Sequence, residues 1–427
     1  MIGLAFAILL TLMVLSIPVA VTLLALGLFM DQAFSAFPLY RALGEVMWSA
    51  SDSFLLIAIP LFILLGEILV RTGIARRTYG ALEAWLSWLP GGLLHANIGT
   101  ATFFSATSGS SVATAATVGT VAMPQARALG YHESLFAGSI AAGGTLGIMI
   151  PPSINLIVYG FLTETSIPRL FIAGIVPGIA LALSFIAGTA LICSIKPQWG
   201  GPRRRHTWGK RLRGLVDLLP VFVLFSVIIG SIYTGWATPT EAAAVGVLTT
   251  LVFAFILGEL SIGMLKDSLA STMRTSAMIM LIITSAYFLN FVLSAAGATR
   301  ALSTFVETLG MAPTATMLVI IAMYVLLGFF IETLSLMVIT IPIVEPVVVA
   351  LGYDPIWFGI MLILLIEMAL ITPPVGLNLY VVQGVRGRGS LNEVMIGAFP
   401  YAVIMLLMAG ILLMVPEMAL FLPNAMN

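Results

Sequence analysis

Charge is the first thing this sequence lacks. Asp, Glu, Lys and Arg supply 8% of its 427 residues, against about 25% in an ordinary soluble domain, while 60% are hydrophobic. No water-soluble packing hides that much apolar surface, so the length is best divided into membrane spans of roughly 20 apolar residues. The 18 basic and 18 acidic residues cancel, so total charge implies neither nucleic acid nor a strongly charged partner. One cysteine, Cys193, excludes an internal disulfide and any cysteine-built zinc or iron–sulfur centre, and it reads as packing. His95, His132 and His206 lack HExxH spacing, no Gly-Xaa-Gly-Asp string occurs, and Ser110 and Ser111 have no nearby base. An intramembrane hydrolase is therefore a remote alternative. No phosphate-cradling Gly-Lys loop is present, so ATP does not drive the chain directly. The N-terminal apolar run has no basic n-region and exceeds a signal-peptide core, so 2–30 is expected to be retained as a span.

Windows of about 19 residues predict crossings near 3–29, 52–70, 134–163, 169–193, 216–233, 239–257, 272–296, 356–385 and 394–415. Two further apolar stretches, 92–126 and 313–350, are interrupted by small or polar residues. Each is predicted as a helical hairpin that enters and leaves on one side, which survives only where protein or a cavity surrounds the backbone. With the N-terminus inside, Arg71, Arg76, Arg77, Arg127, the cluster Lys196, Arg203, Arg204, Arg205, Lys210, Arg211 and Arg213, then Lys266, Arg274, Arg386 and Arg388 all fall on the cytoplasmic side. Only Arg41, Arg169 and Arg300 fall outside, as the positive-inside bias requires. Amphipathic segments at 74–90 and 298–311 read as surface helices, either simple interfacial anchors or connectors between a fixed frame and a moving core.

The sequence repeats itself. ALGY occurs at 128–131 and at 350–353, and a Pro-Pro pair starts 21 residues after the glycine of each. With one inserted residue the match continues, setting Asn155 against Asn378, Gly174 against Gly397 and Pro177 against Pro400. The predicted crossings between Gly130 and Gly352 are odd in number, so the two copies are expected to be inverted. Inverted repeats with broken helices mark secondary transporters whose site lies between the repeats; duplication for packing alone is the plainer alternative.

The breaks carry the chemistry. Ser108, Gly109, Ser110 and Ser111 fall at the first hairpin turn, where hydroxyls and unpaired carbonyls suit a hard cation such as sodium; the same small residues also simply pack helices. In GGTLGIMIPPSIN at 143–155, Gly143, Gly144 and Gly147 precede Pro151 and Pro152, and the prolines free carbonyls that are costly in hydrocarbon unless an ion or a helix end satisfies them. The second half offers Glu332, Thr333 and Ser335 at its hairpin turn, then Thr372 and Asn378 beside Pro373. Glu332 and Glu367 lie in apolar runs, and an intramembrane carboxylate is read as an ion or proton site or as a helix cap. No Lys or Arg interrupts either hairpin or either break, so an anionic solute is left with helix N-termini and the bound cations.

TSGSSVATAA at 107–116, GTLGIMIPPSINLIVYG at 144–160, LGYDPIWFG at 351–359 and LIEMALITPPVGLNLY at 365–380 together resemble the large membrane subunit of tripartite ATP-independent periplasmic (TRAP) transporters. The resemblance spans nearly the whole chain. It implies an all-α polytopic protein of two inverted-topology repeats, each with a re-entrant hairpin and a broken transmembrane helix, working as an elevator. The repeats would occupy 1–195 and 236–427, joined by a basic loop and linking helix at 196–235. It implies uptake of a C4-dicarboxylate, sugar acid or sialic acid across a bacterial inner membrane, with two or more sodium ions and no organic cofactor. Carried over by position, one sodium site takes Ser108, Gly109, Ser110, Ser111, Gly147, Pro151, Ser153 and Asn155. The other takes Glu332, Thr333, Ser335, Thr372, Pro373 and Asn378. Ser110, Ser111, Asn155, Thr333 and Asn378 are expected to hold the substrate. The implied partners are a periplasmic substrate-binding protein and a small four-helix membrane subunit, expected as a separate chain because one crossing precedes 52–70. A stand-alone sodium/carboxylate symporter of similar fold is the alternative. The C-terminus is expected on the periplasmic side.

Overall fold

The computed structural model describes residues 2–15, 17–202, 204, 206–297, 308 and 310–425. Arg203, Arg205, Arg300 and most of the amphipathic segment expected at 298–311 lie outside them. Among the described residues there is no strand.

The first apolar run departs from expectation. Instead of one crossing over 3–29 it forms α1 (Ile2–Val14) and α2 (Val19–Phe34), followed by a short α3 (Leu43–Ser51). Pro18 is the reason, since its ring removes a backbone donor and keeps Ile17 out of the helical region. The next crossing is α4 (Ala58–Arg71), led in by a single turn at Phe54–Ile57. The amphipathic helix expected at 74–90 is α5 (Ile74–Leu86), which buries Ile74, Tyr79 and Leu82.

The stretch 92–126 folds as α6 (Leu93–Ser108) and α7 (Ser111–Ala128). Gly109 ends α6 at φ 66°, a left-handed turn that favours glycine, with its N–H donating to the Ser105 carbonyl at 2.9 Å. Ser110 then opens α7, its hydroxyl accepting the Ala113 N–H at 3.3 Å. The following span is broken at the first proline pair into α8 (Glu133–Met149) and α9 (Ile154–Leu162), bent by 44°. Unbroken helices α10 (Ile167–Ile195), α11 (Trp208–Tyr233), α12 (Pro239–Ile256) and α13 (Ile262–Ala295) come next. The second hairpin stretch is α14 (Pro313–Gly328) and α15 (Thr333–Ala350), and the second proline pair separates α16 (Pro355–Ala369) from α17 (Leu377–Arg386). The chain closes with α18 (Leu391–Met414) and α19 (Glu417–Ala425), the last unanticipated. Both Pro151–Pro152 and Pro373–Pro374 are cis peptides. The first pair is buried and the second exposed.

Among the described residues, seven helices are long and apolar enough to cross a membrane, or eight with α8 and α9 taken as one span. The chain is thus a polytopic helical membrane protein. The expected crossings at 3–29 and 356–385 do not enter that count because each is assembled from shorter helices, whereas α15, half of an expected hairpin, does.

The core centres on α8 and α16, in which Ser134 through Met149 and Ile356 through Ala369 are buried without exception. Helices apolar on every side belong in such a place. α8 meets α18 where Gly138 faces Gly397, and a Cβ on either would run into the other helix's backbone; small residues allow this approach. The same junction is bound by charge. Glu133 accepts from Arg386 Nε at 3.0 Å and from Arg388, while Arg386 also pairs with Glu393 and Arg127 donates to the Arg386 carbonyl. The loop before α11 is anchored beside it. His132 stacks on Trp199 with centroids 4.5 Å apart, Lys196 sits 4.1 Å over the same ring, and Ser87 Oγ donates to the Arg204 carbonyl at 3.0 Å.

Candidate ion and solute site

The tips of the two helix pairs border one cavity of about 180 Å³. From α6–α7 come Ser108, Gly109, Ser110 and Ser111; from α9, Asn155; from the turn before α15, Glu332 and Thr333. The opposite wall is Gly66 and Glu67 of α4 with Thr275 of α13. Among the described residues no Lys or Arg lines it.

Local sequence explains the polar tips. Ser110 and Glu332 are both helix N-caps, standing at the same offset in the chain as Pro151 and Pro373 do. Glu332 accepts the Leu334 and Ser335 N–H groups at 3.1 and 3.0 Å, the Ser335 hydroxyl at 2.8 Å and the Thr333 hydroxyl at 3.1 Å. This is the capping arrangement that satisfies the first turn of a helix, and it occupies both carboxylate oxygens. Ser108 and Thr114 hydroxyls meet at 3.1 Å across the first turn. Behind the wall, Glu367 of α16 accepts from Ser111 Oγ at 2.5 Å and from Asn155 Nδ2 at 3.5 Å.

Other residues singled out from sequence lie away from this cavity. Gly147 packs α8 on α6, where a Cβ would strike Ser105 and Ala106. Ser153 is buried as the N-cap of α9, accepting from Leu156 N–H at 3.3 Å, and Pro151 is buried just before it. Ser335 is spent on Glu332. Thr372 donates to the Met368 carbonyl at 2.6 Å beside the exposed Pro373. Asn378, fully buried, donates to the Ala141 carbonyl of α8 at 3.0 Å. The hairpin tips are therefore brought together, and the second break is turned toward the first half of the molecule.

Glu67 was missed. It is a carboxylate inside an apolar helix, the same signal that drew attention to Glu332 and Glu367, and it is held by Arg71, which also donates to Ser271 Oγ at 2.9 Å. Gly66 beside it lets α4 touch the hairpin, because a Cβ there would strike the Ser108 backbone.

Comparison with known families says what kind of protein carries this cavity. The family model for the tripartite ATP-independent periplasmic transporter, DctM component, matches residues 6–418. The chain belongs to this TRAP family. Among relatives, the C4-dicarboxylate TRAP transporter large permease protein DctM of Pseudomonas aeruginosa is 34% identical over 395 residues, 90% of each chain. The sialic acid TRAP transporter large permease protein SiaM of Vibrio cholerae is 31% identical over 385 residues, 89% of each chain. Among solved structures, MtrF of Neisseria gonorrhoeae, an antimetabolite efflux pump, matches with a TM-score of 0.62 over 93% of this chain and 94% of its own at 13% identity, which shows a shared fold. The TRAP permease is thus a transport protein and not an enzyme.

Proposed function

We propose that this TRAP permease is the large subunit of a sodium-coupled importer of a small carboxylate, delivered by a periplasmic substrate-binding protein and assembled with a small four-helix membrane subunit in a bacterial inner membrane. One observation carries the reading: both hairpin tips and a residue of the first broken span converge on a single cavity walled by α4 and α13. Helix N-termini at Ser111 and Thr333 border that cavity and present N–H groups to an anion. Oxygens of Ser108, Ser110, Ser111, Asn155 and Thr333 are there for a cation, which in turn attracts the carboxylate. Thr372, Pro373 and Asn378 of the second break, with Gly147, Pro151, Ser153 and Ser335, complete the proposed pair of sodium sites in the sequence reading but lie outside this cavity.

The matching offsets of the two N-caps and the two proline pairs support a pair of inverted repeats over 1–195 and 236–427, linked by 196–235. The cavity lies between elements of different kinds, broken helices and hairpins on one side and unbroken helices on the other. This supports an elevator in which α6–α9 and α14–α17 move against α4 and α13. The positive-inside bias supports an N-terminus in the cytoplasm and a C-terminus in the periplasm. Both relatives are named for carboxylates, one a C4-dicarboxylate and one sialic acid, so the class is a small organic acid.

Uptake in proteoliposomes tests this. With the binding protein and small subunit present, labelled succinate or sialic acid should accumulate under an inward sodium gradient and fail to do so with potassium. Sialic acid, a monoanion, carried with two sodium ions moves one net charge, worth about 2.3 kcal/mol per 100 mV, so an inside-negative potential should speed its uptake. Sodium-independent uptake overturns the coupling. Full-rate uptake by the chain alone overturns the dependence on partners and favours a stand-alone symporter.

A further inference from the structure

Glu367 stands behind the cavity, not in it. It is fully buried in α16, and both its oxygens are engaged by residues that do line the cavity, Ser111 and Asn155. Both Glu367 oxygens accept in these contacts, a serine hydroxyl has a single proton, and an asparagine side chain has one donor end and one acceptor end. With that proton and that donor end given to Glu367, the serine lone pairs and the Asn155 Oδ1 are what remain for the cavity. Neither side chain makes another hydrogen bond among the described residues.

We propose that Glu367 is a positioning residue that fixes the polarity of this wall, turning the acceptor ends of Ser111 and Asn155 into the cavity so that it receives a cation. The surrounding charges agree. Glu67 and Glu332 also line the cavity, and the neighbouring guanidinium, Arg71, is bound to Glu67. A buried carboxylate held by neutral donors alone is costly, and a cation against Ser111 and Asn155 compensates it through two oxygens. The device belongs to one half only. Six residues before the first proline of each pair stand Glu367 and Thr145, and Thr145 donates to the Ala142 carbonyl at 2.7 Å instead.

This rests on the reading of the cavity as a cation site, and the two fail differently. The experiment is the melting temperature of the purified permease against NaCl, with choline chloride holding ionic strength constant, since a bound ion stabilises the folded state by mass action. Wild type should melt higher as sodium rises. Glu367→Gln should need at least tenfold more sodium for half the effect, because an amide donates as well as accepts and lets both neighbours turn protons inward. Ser111→Ala should raise the half-effect concentration several-fold, and Glu367→Gln should cost less in that background than alone. Ser105→Ala, whose hydroxyl bonds the Gly144 carbonyl away from the cavity, should leave it unchanged. A purely structural Glu367 would lower the melting temperature without sodium and leave the half-effect concentration where it was, which overturns the proposal alone. If Glu367→Gln does not fold, an unchanged response in Ser111→Ala overturns it equally. A wild type indifferent to sodium overturns the cation reading and this proposal together.

Discussion

Asn378 and Ala141 join the two halves of the molecule, the buried amide of the one donating to the carbonyl of the other at 3.0 Å. The relation is reciprocal. Asn155, which the sequence repeat sets against Asn378, reaches the other way to Glu367. Each broken span thus extends one asparagine into its counterpart. Asn378→Ala should lower stability by about 1 kcal/mol, the scale of an interhelical hydrogen bond within a membrane, and Asn155→Ala by less, its bond being at the 3.5 Å limit. Chemical or thermal unfolding in detergent measures both.

Gly66 is where the wall of α4 meets the tip of the first hairpin. A side chain there has no room without displacing the Ser108 backbone, and Ser108 helps line the cavity. Gly66→Leu should cut uptake more than tenfold while Gly80→Leu, on the neighbouring helix with open space around it, leaves it near wild type. Equal rates in the two variants would remove the contact from the mechanism.

Glu133 should matter more to stability than Glu393, although both pair with Arg386. Glu133 also holds Arg388, and its side chain is 18% exposed against 47% for Glu393. Arg386, at 5%, is left partly unpaired in Glu133→Gln. Breaking a fully buried pair costs about 3–5 kcal/mol; with Glu393 still in place the loss should be nearer 2 kcal/mol. Unfolding of the two single variants, compared side by side, checks the order.

Acid should loosen the loop before α11 through His206. Burial and the nearby Lys210 hold its imidazole below the ordinary histidine range, against the upward pull of Glu83, 3.6 Å away. The folded state therefore takes up its proton later than the unfolded chain, whose value is about 6.5. This contribution is fully present above about pH 6.5 and is lost as pH falls through the folded value. Melting temperatures from pH 8 to 5 should drop less steeply in His206→Gln, and identical slopes would refute the link.

How much of this could be read in advance depends on which interactions are local. Pro151 and Pro373 break helices by their own covalent structure, and Gly109 with Ser110 spells a turn, so the broken spans and the first hairpin were legible from composition and spacing. Pro18 carries the same message, but the apolar run around it is long enough to cross by itself, so composition alone does not separate α1 from α2. The site was only partly legible. Ser110, Ser111, Glu332 and Thr333 signal themselves as polar residues at breaks, but that both tips share one cavity is a matter of tertiary placement. Asn378 was expected beside the second hairpin; which helix its amide meets, α8, depends on packing that no spacing rule encodes. Glu67 was within reach of the rule applied to Glu332, and its ion pair with Arg71 at the next turn of α4 disguised it as a surface pair.

The solitary cysteine has an experimental use. Cys193 is 2% exposed, so the chain is almost silent to thiol reagents, and a cysteine introduced at one position becomes the dominant reactive handle. The proline pairs offer two such positions in opposite settings, 152 sealed in protein and 374 open. Labelling rates at the two, compared with and without sodium, report whether the ion changes how far a thiol reagent reaches each position.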